Sequence, residues 1–311
     1  MLNRVLVTGC TGMVGHGICQ HLLKRNYEVW GTYRKKIHST HNSFHPIFLD
    51  LSKKDSIYNI ESILDNIDTI IVNAAKMPKA NELISNNNEF FTTNMLSTYD
   101  LLKLSLKNKK QKVILISGTA LVSNQNNAPI KETDSYFSRN EYISSKIGSE
   151  IICQQIINAF DKMVMIFRIR APYGYVGNKL GVIPRFIELA KNDEDITLWG
   201  TGSRKQIFTF VEDIGHACDL AIQKPKEGVY NVTGAESTTM KDLAETIIAE
   251  LPSSKSKIVY TEKKDPQENI KVQVSLDKAK STFNYFPQNN LKTGLNKIIY
   301  KDTNSSFFEM I

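Results

Sequence analysis

The sequence predicts an α/β protein built on a doubly wound parallel sheet, with a smaller C-terminal domain. Three observations predict it. Short apolar runs without polar alternation recur through the first half and are separated by helical stretches, the pattern of βαβ units around a sheet covered on both faces. The first of these runs, Val5-Leu6-Val7, leads directly into a glycine-rich turn, Thr8 to Gly15. After Tyr173 the rhythm changes to shorter elements and turns containing Gly and Asn.

The elements follow in order. Val5–Val7 is the first strand, and the helix after it runs through Ile18, Leu22 and Leu23 to Asn26, a residue suited to positive φ at a helix end. Strands are predicted at 28–33, 46–49, 69–72, 112–116 and 164–168, with helices near 94–107 and from about Asn140 towards Phe160. Two later strands, 208–211 and 229–232, are expected to pack with the first domain. That domain is expected to span 1–174 and to include the strands near 207–232. The second is expected to be assembled from 175–206 and 235–311. Residues 303–311 show no evident partner.

Composition narrows the class. The chain has 311 residues, 41% of them hydrophobic and 23% charged, which suits a soluble globular protein. Its 39 basic and 32 acidic residues leave a formal charge of +7. No arginine-rich run or basic repeat with interleaved aromatics occurs, so nucleic acid is not an expected partner. Cys10, Cys19, Cys153 and Cys218 form no CxxC pair, which argues against a disulfide framework or a bound metal and fits a reducing compartment. Nothing resembling a signal peptide precedes the first strand and no apolar run approaches spanning length. The expected location is the cytoplasm, with no membrane partner.

The glycine-rich turn carries the first chemistry. Gly9, Gly12 and Gly15 meet three needs: a sharp turn, close approach of backbone to a pyrophosphate, and tight packing of the helix on the sheet. With Thr11, Met13 and Val14 they present the helix N-terminus to an anionic dinucleotide, so the sheet is expected to be of the Rossmann type. At the end of the second strand, Thr32-Tyr33-Arg34-Lys35-Lys36 holds no acid to bond a ribose 2′-hydroxyl. Arg34 is instead placed to clamp a 2′-phosphate, with Lys35 adding charge, which favours NADP(H) over NAD(H).

Tyr142-Ile143-Ser144-Ser145-Lys146 carries the second, because a phenol and an ammonium at i and i+4 share one helix face. A tyrosine with an ordinary pKa near ~10 is a poor acid–base catalyst at neutral pH. A neighbouring ammonium is expected to lower it.

The order and spacing of Thr8–Gly15, Asp50, Asn73-Ala74-Ala75, Asn94, Thr119 and Tyr142–Lys146 resemble the extended short-chain dehydrogenase/reductase family. This is the NAD-dependent epimerase/dehydratase branch, which acts largely on nucleotide sugars. The resemblance continues through 168–174, 181–186, 200–202 and 208–214. It implies that Asp50, beside Leu51, bonds the adenine, and that Asn73, Ala74 and Ala75 line the cofactor. It implies that Lys146 also holds the nicotinamide ribose, and that Thr119 bonds the reacting substrate oxygen. Asn94 would line the cofactor site as a structural residue or part of a proton relay. The substrate would lie against Thr119, Ala120, Tyr142 and Arg204, in the C-terminal substrate-binding domain. A homodimer joined through the Tyr142 helix and the helix after Asn94 is also implied, with Ile151, Ile152, Ile156 and Ile157 available for contact.

Within that family, absent residues narrow the reaction. The 4,6-dehydratases carry an Asp-Glu pair after the catalytic Thr, where this chain has Ala120 and Leu121. The GDP-fucose-forming enzymes use a Cys and a His, and neither occurs between Ser117 and Glu150. The remaining expectation is NADPH-dependent reduction of a nucleotide-linked 4-keto-6-deoxyhexose. The alternatives are an NAD-dependent nucleotide-sugar 4-epimerase and a non-catalytic NADP-binding regulatory protein. Two positions depart from many relatives: Ala171 stands where they have Asn, and Gln206 where they have Arg. Arg204 or Lys205 is the expected substitute for the missing charge.

Overall fold

The computed structural model describes residues 3–34, 37–39, 41–78, 88–122, 129–176, 181–268, 272–300 and 308–310. Seven strands form the central sheet: β1 Arg4–Val7, β2 Glu28–Tyr33, β3 Phe44–Phe48, β4 Thr69–Val72, β5 Lys112–Gly118, β6 Val164–Ile169 and β7 Gly228–Asn231. Every pairing is parallel, and the spatial order is β7-β6-β5-β4-β1-β2-β3. Strand order therefore reverses between β1 and β4, which opens a crevice at their carboxyl ends. This is the Rossmann-like α/β fold that the sequence predicts.

The apolar runs lack alternation because both faces of the sheet are covered, and successive residues feed different cores. Val5, Val7, Ile71, Ile114, Ile116, Met165 and Phe167 enter one cluster. It is closed by helices α1 (Met13–Lys24) and α5 (Val211–Gln223) through Ile18, Leu22, Ile214 and Ala217. Leu6, Ile70, Val72, Val113, Leu115, Val164 and Ile166 enter the opposite cluster. There α2 (Ser97–Ser105) and α3 (Glu141–Phe160) supply Leu101, Leu102, Cys153 and Ile156. This is the period-2 alternation of a strand buried on both sides. A third cluster joins Tyr173, Phe210 and Val211 to α4 (Val182–Lys191), α6 (Met240–Ala249) and Leu295.

Several expectations are corrected. The third strand begins two residues earlier than predicted, at Phe44, whose ring is buried in the α1 core. Pro46 is accommodated because β3 is an edge strand. The strand expected at 208–211 shrinks to Thr209–Phe210 and pairs with Pro172–Tyr173, outside the main sheet. Val211 instead starts α5, where Glu212 and Asp213 suit the positive end of a helix. The helix expected from Asn94 opens with a π-helical stretch, Phe91–Leu96. At the C-terminus, Phe308–Met310 pairs antiparallel with Ile37–Ser39, so this part of 303–311 does have a partner. Residues 301–307 and 311 lie outside the described residues. Asn26 has φ 60°, as expected.

Candidate active site

The crevice is laced by hydrogen bonds among three strand ends. The Thr8 hydroxyl accepts from the Asn73 and Ala74 backbone N–H groups at 2.9 and 3.0 Å, and the Asn73 amide donates to the Thr8 carbonyl. Gly9 N–H donates to Thr32 Oγ1 at 3.0 Å, tying the same turn to β2. Each glycine then has a separate reason. Gly9 has φ 71°, and a Cβ there would lie 2.8 Å from the Ala74 Cβ. A Cβ on Gly15 would meet the Gly9 carbonyl oxygen at 2.2 Å and the Asn73 amide at 2.8 Å. A Cβ on Gly12 would touch only the Gly9 carbonyl oxygen, at 3.4 Å, and otherwise points into open space. Gly12 is the N-cap of α1, with no side-chain cap and no acid in the first turn. The helix end at Met13, Val14 and Gly15 therefore leaves donors and a positive partial charge for a pyrophosphate. The turn fits a dinucleotide.

At the other end of the crevice Arg34 is exposed just past β2. Asp50 accepts from the Ser52 hydroxyl at 2.7 Å and the Ser52 backbone at 3.0 Å. Those bonds, helped by the charges of Arg34 and Lys53, hold its carboxyl below the ordinary range. Leu51 is buried behind it. Lys35 lies outside the described residues. Asn94 sits in the π-helical stretch, buried, and is bonded on all sides by protein. Its Oδ1 accepts from Lys76 N–H at 2.7 Å, and its Nδ2 donates to the Lys76 carbonyl and to Ser145 Oγ at 3.2 and 3.0 Å. It thereby joins the segment after β4, which carries Asn73, Ala74 and Ala75, to the helix of Tyr142. π-Turns of this kind recur at functional sites.

Tyr142 and Lys146 lie one turn apart on α3, whose start is fixed by the Asn140 side chain accepting from Ile143 N–H. Tyr142 is partly buried and packs edge-on against Phe90. Lys146 is almost fully buried, and its Nζ donates to the Ile116 carbonyl at 2.7 Å. Here a sequence expectation is corrected. Burial pushes the Tyr142 phenol above its ordinary range instead of Lys146 lowering it. Burial also pulls Lys146 down to about 8, against the opposing pull of Glu150. The ammonium is turned to β5, so in this arrangement the phenol keeps its proton at neutral pH.

Thr119 opens the short turn Thr119–Leu121 after β5, in contact with α3. Its hydroxyl is buried and accepts from Arg170 Nη1 at 3.2 Å. Ala120 beside it is exposed. With a lone pair engaged by a cation, the Thr119 hydroxyl hydrogen is left to point elsewhere and is a stronger donor. Arg204, expected near the substrate, lies 3.7 Å from the Asp265 carboxylate and from the Met240 sulfur, with no bond to Thr119. Lys205 is exposed on a strand paired with Ser237–Thr239.

Three charged side chains beside the site escaped sequence reasoning. Glu150, one further turn along α3 from Lys146, is fully buried and accepts from Arg168, Tyr136 and Ser117. Arg168 is 2% exposed. The third is Arg170. The i, i+4, i+8 spacing of Tyr142, Lys146 and Glu150 was a legible signal. The partners on β5 and β6 were not.

Elsewhere, Ile156 belongs to the core and Ile152 and Ile157 pack against it, whereas Ile151 is 51% exposed. Leu96 and Tyr99 are also exposed. Among the described residues one trio, His21, His216 and Asp219, brings metal-ligating atoms within 4.8 Å of one another. It lies between α1 and α5, and its carboxylate accepts from Arg25, Tyr27 and Gln223. No helix among the described residues is long and apolar enough to cross a membrane.

A glycine turn at a helix N-terminus and a Tyr–Lys pair beside a buried Thr mark a nicotinamide-dependent enzyme of the extended short-chain dehydrogenase/reductase class. The signature of the NAD dependent epimerase/dehydratase family matches residues 5–233, and the chain belongs to that family. It is 27% identical over 278 residues to a UDP-N-acetyl-alpha-D-glucosaminuronate decarboxylase of Bacillus cytotoxicus, covering 84% of each chain. It is 26% identical over 259 residues to a dTDP-4-dehydro-6-deoxyglucose reductase of Escherichia coli, covering 79% of this chain and 81% of the relative. In fold it is similar to the UDP-glucuronic acid 4-epimerase of Bacillus cereus, solved with UDP-glucuronic acid and NAD. The TM-score is 0.80 at 22% identity, over 96% of this chain and 99% of that one.

Proposed function

We propose that this enzyme reduces a carbonyl on the hexose of a sugar nucleotide, at C4, with NADPH. The 4-keto-6-deoxyhexose nucleotide expected from the sequence is the reference substrate. The observation that carries the reading is the placement of Tyr142 one turn from Lys146 on the same helix face, with the Thr119 turn packed alongside. Carbonyl reduction needs a proton donor at the oxygen, and a phenol with an ammonium one turn along is a pairing that can supply the proton and stabilise the phenolate left behind.

Gly9, Thr11, Gly12, Met13, Val14 and Gly15 would hold the pyrophosphate, with Asp50 and Leu51 at the adenine and Asn73, Ala74 and Ala75 further along. Arg34 would take a 2′-phosphate, which supports NADPH over NADH. The bound cofactor supplies the hydride. Tyr142 gives its proton to the substrate oxygen, Thr119 donates a hydrogen bond to the same oxygen, and Lys146 offsets the negative charge left on the phenol. The absence of an acidic pair after Thr119 supports simple reduction over dehydration.

The E. coli relative is named as a reductase of a 4-keto sugar nucleotide, which supports the same reaction. The B. cereus neighbour is named as a 4-epimerase and supports the second reading, a nucleotide-sugar 4-epimerase. We read the enzyme as cytoplasmic and as a homodimer, with Leu96, Tyr99 and Ile151 exposed on or beside α2 and α3 for the contact. Incubation with NADPH and a panel of 4-keto sugar nucleotides tests the proposal. Stoichiometric loss of NADPH absorbance is expected. Inversion at C4 of a UDP-hexose with no net consumption of cofactor would establish the epimerase instead.

A further inference from the structure

Two arginines two residues apart at the end of β6 are compensated in opposite ways. Arg168 is buried against the Glu150 carboxylate, with contacts of 2.8 to 3.2 Å. Arg170, nearer the carboxyl edge of the sheet where the crevice opens, has no acidic partner among the described residues. Its Nε donates to Gln206 Oε1 at 2.9 Å and its Nη1 to Thr119 Oγ1 at 3.2 Å, both neutral oxygens. Burial and the nearby charge of Arg139 both disfavour its cation. A partly buried guanidinium with a second cation beside it and no carboxylate is destabilised unless an anion is supplied from outside. Its backbone is fixed, since Thr209 Oγ1 donates to the Arg170 carbonyl at 2.6 Å and Thr209 N–H to the Ala171 carbonyl at 3.2 Å. The cation is thus held beside Thr119 and bonded to the residue that stands where many relatives place an arginine.

We propose that Arg170, assisted by Arg139, is the anion-binding residue of the substrate pocket, taking an oxyanion of the sugar nucleotide between Thr119 and Gln206. The inference rests on the sugar-nucleotide reading above. A substrate oxyanion has two sources: the diphosphate, or a carboxylate on the hexose. A planar fork suits either one, and two N–H donors facing two oxygens give orientation as well as charge.

Titration calorimetry on the NADP(H)-loaded protein tests this. The probes are UDP, dTDP, GDP and CDP, their glucose conjugates, and UDP-glucuronate. Arg170→Met is expected to weaken at least one class about 10- to 100-fold, the range of a charge-assisted hydrogen-bond pair. Arg170→Lys should recover part of the loss. An equal loss for diphosphates and conjugates assigns the diphosphate, whereas a loss confined to UDP-glucuronate assigns the carboxylate. Arg139→Ser alters an exposed side chain, so folding is preserved, and it should weaken the same class roughly 2- to 5-fold. Binding unchanged within twofold in both Arg170→Met and Arg139→Ser overturns the assignment while leaving NADPH turnover, and the functional reading, intact. If the wild-type protein binds NADP(H) but none of the probes, the sugar-nucleotide reading falls and this assignment with it.

Discussion

The Arg168 guanidinium grips the Glu150 carboxylate edge-on, with Nη2 at 2.8 Å and Nε at 3.1 Å from the same oxygen, in a site that leaves the pair 2% and 0% exposed. The pair ties β6 to α3 one helical turn beyond Lys146. Two charges without water are held here by mutual geometry and by Ser117 and Tyr136, which complete the carboxylate's bonds.

Removing one partner of this pair should be costly, because it strands the other. Arg168→Met is expected to destabilise the protein by about 3–5 kcal/mol. For a chain of this size that lowers the melting temperature by roughly 5–8 °C. Calorimetric or fluorescence melting checks it, and a shift under 2 °C would mean that the pair contributes little.

Tyr142→Phe removes the proposed proton donor while keeping the ring against Phe90. We expect kcat to fall about 10²- to 10⁴-fold. NADP(H) affinity, read by fluorescence, should stay within a few-fold of wild type. Retained turnover would remove Tyr142 from the proton path.

Gly12 and Gly15 separate cofactor contact from packing. Gly15→Ala forces its methyl onto the Gly9 carbonyl, so stability should drop by about 1–3 kcal/mol together with cofactor affinity. Gly12→Ala meets nothing closer than 3.4 Å in the protein, so melting should be unchanged while NADP(H) binding is lost. Equal cofactor binding in Gly12→Ala and wild type would show that no phosphate approaches there.

Arg34→Ala should weaken NADPH binding about 10-fold or more and leave NADH nearly unaffected, since only the 2′-phosphate needs the guanidinium. The ratio of kcat/KM for the two cofactors measures it. An unchanged ratio would place cofactor selection elsewhere.

The pH dependence follows from Lys146. Its pKa is lowered to about 8, so the ammonium is present below that pH and lost above it. Activity that needs this charge should fall as pH rises through about 8, and a profile of kcat against pH reads the limb directly. Stability has the opposite sign. Between about 8 and the ordinary 10.5 the unfolded chain holds more protons than the folded one, so this group's contribution to stability rises with pH across that window.

Much of the sheet was legible because two covered faces demand unbroken apolar runs, and Val5–Val7 or Thr69–Val72 admit no other reading at that length. The glycine turn was legible for the same kind of reason: φ 71° at Gly9 and the contact at Gly15 exclude a side chain wherever the loop is placed. The Phe208–Val211 strand was misread because Phe and Val suit a strand locally. The acids that follow them favour a helix start, and that preference prevailed.

The chain's own pattern therefore determined the Rossmann sheet, its glycine turn and the Tyr142–Lys146 ladder, since each depends on residues within one strand, turn or helix. Only the tertiary structure decided the protonation of that ladder, because burial raised the phenol and turned Lys146 to a carbonyl 30 residues away. It alone also paired Arg168 with Glu150 and, among the described residues, left Arg170 without an acid, since whether a cation is compensated depends on what distant segments bring beside it.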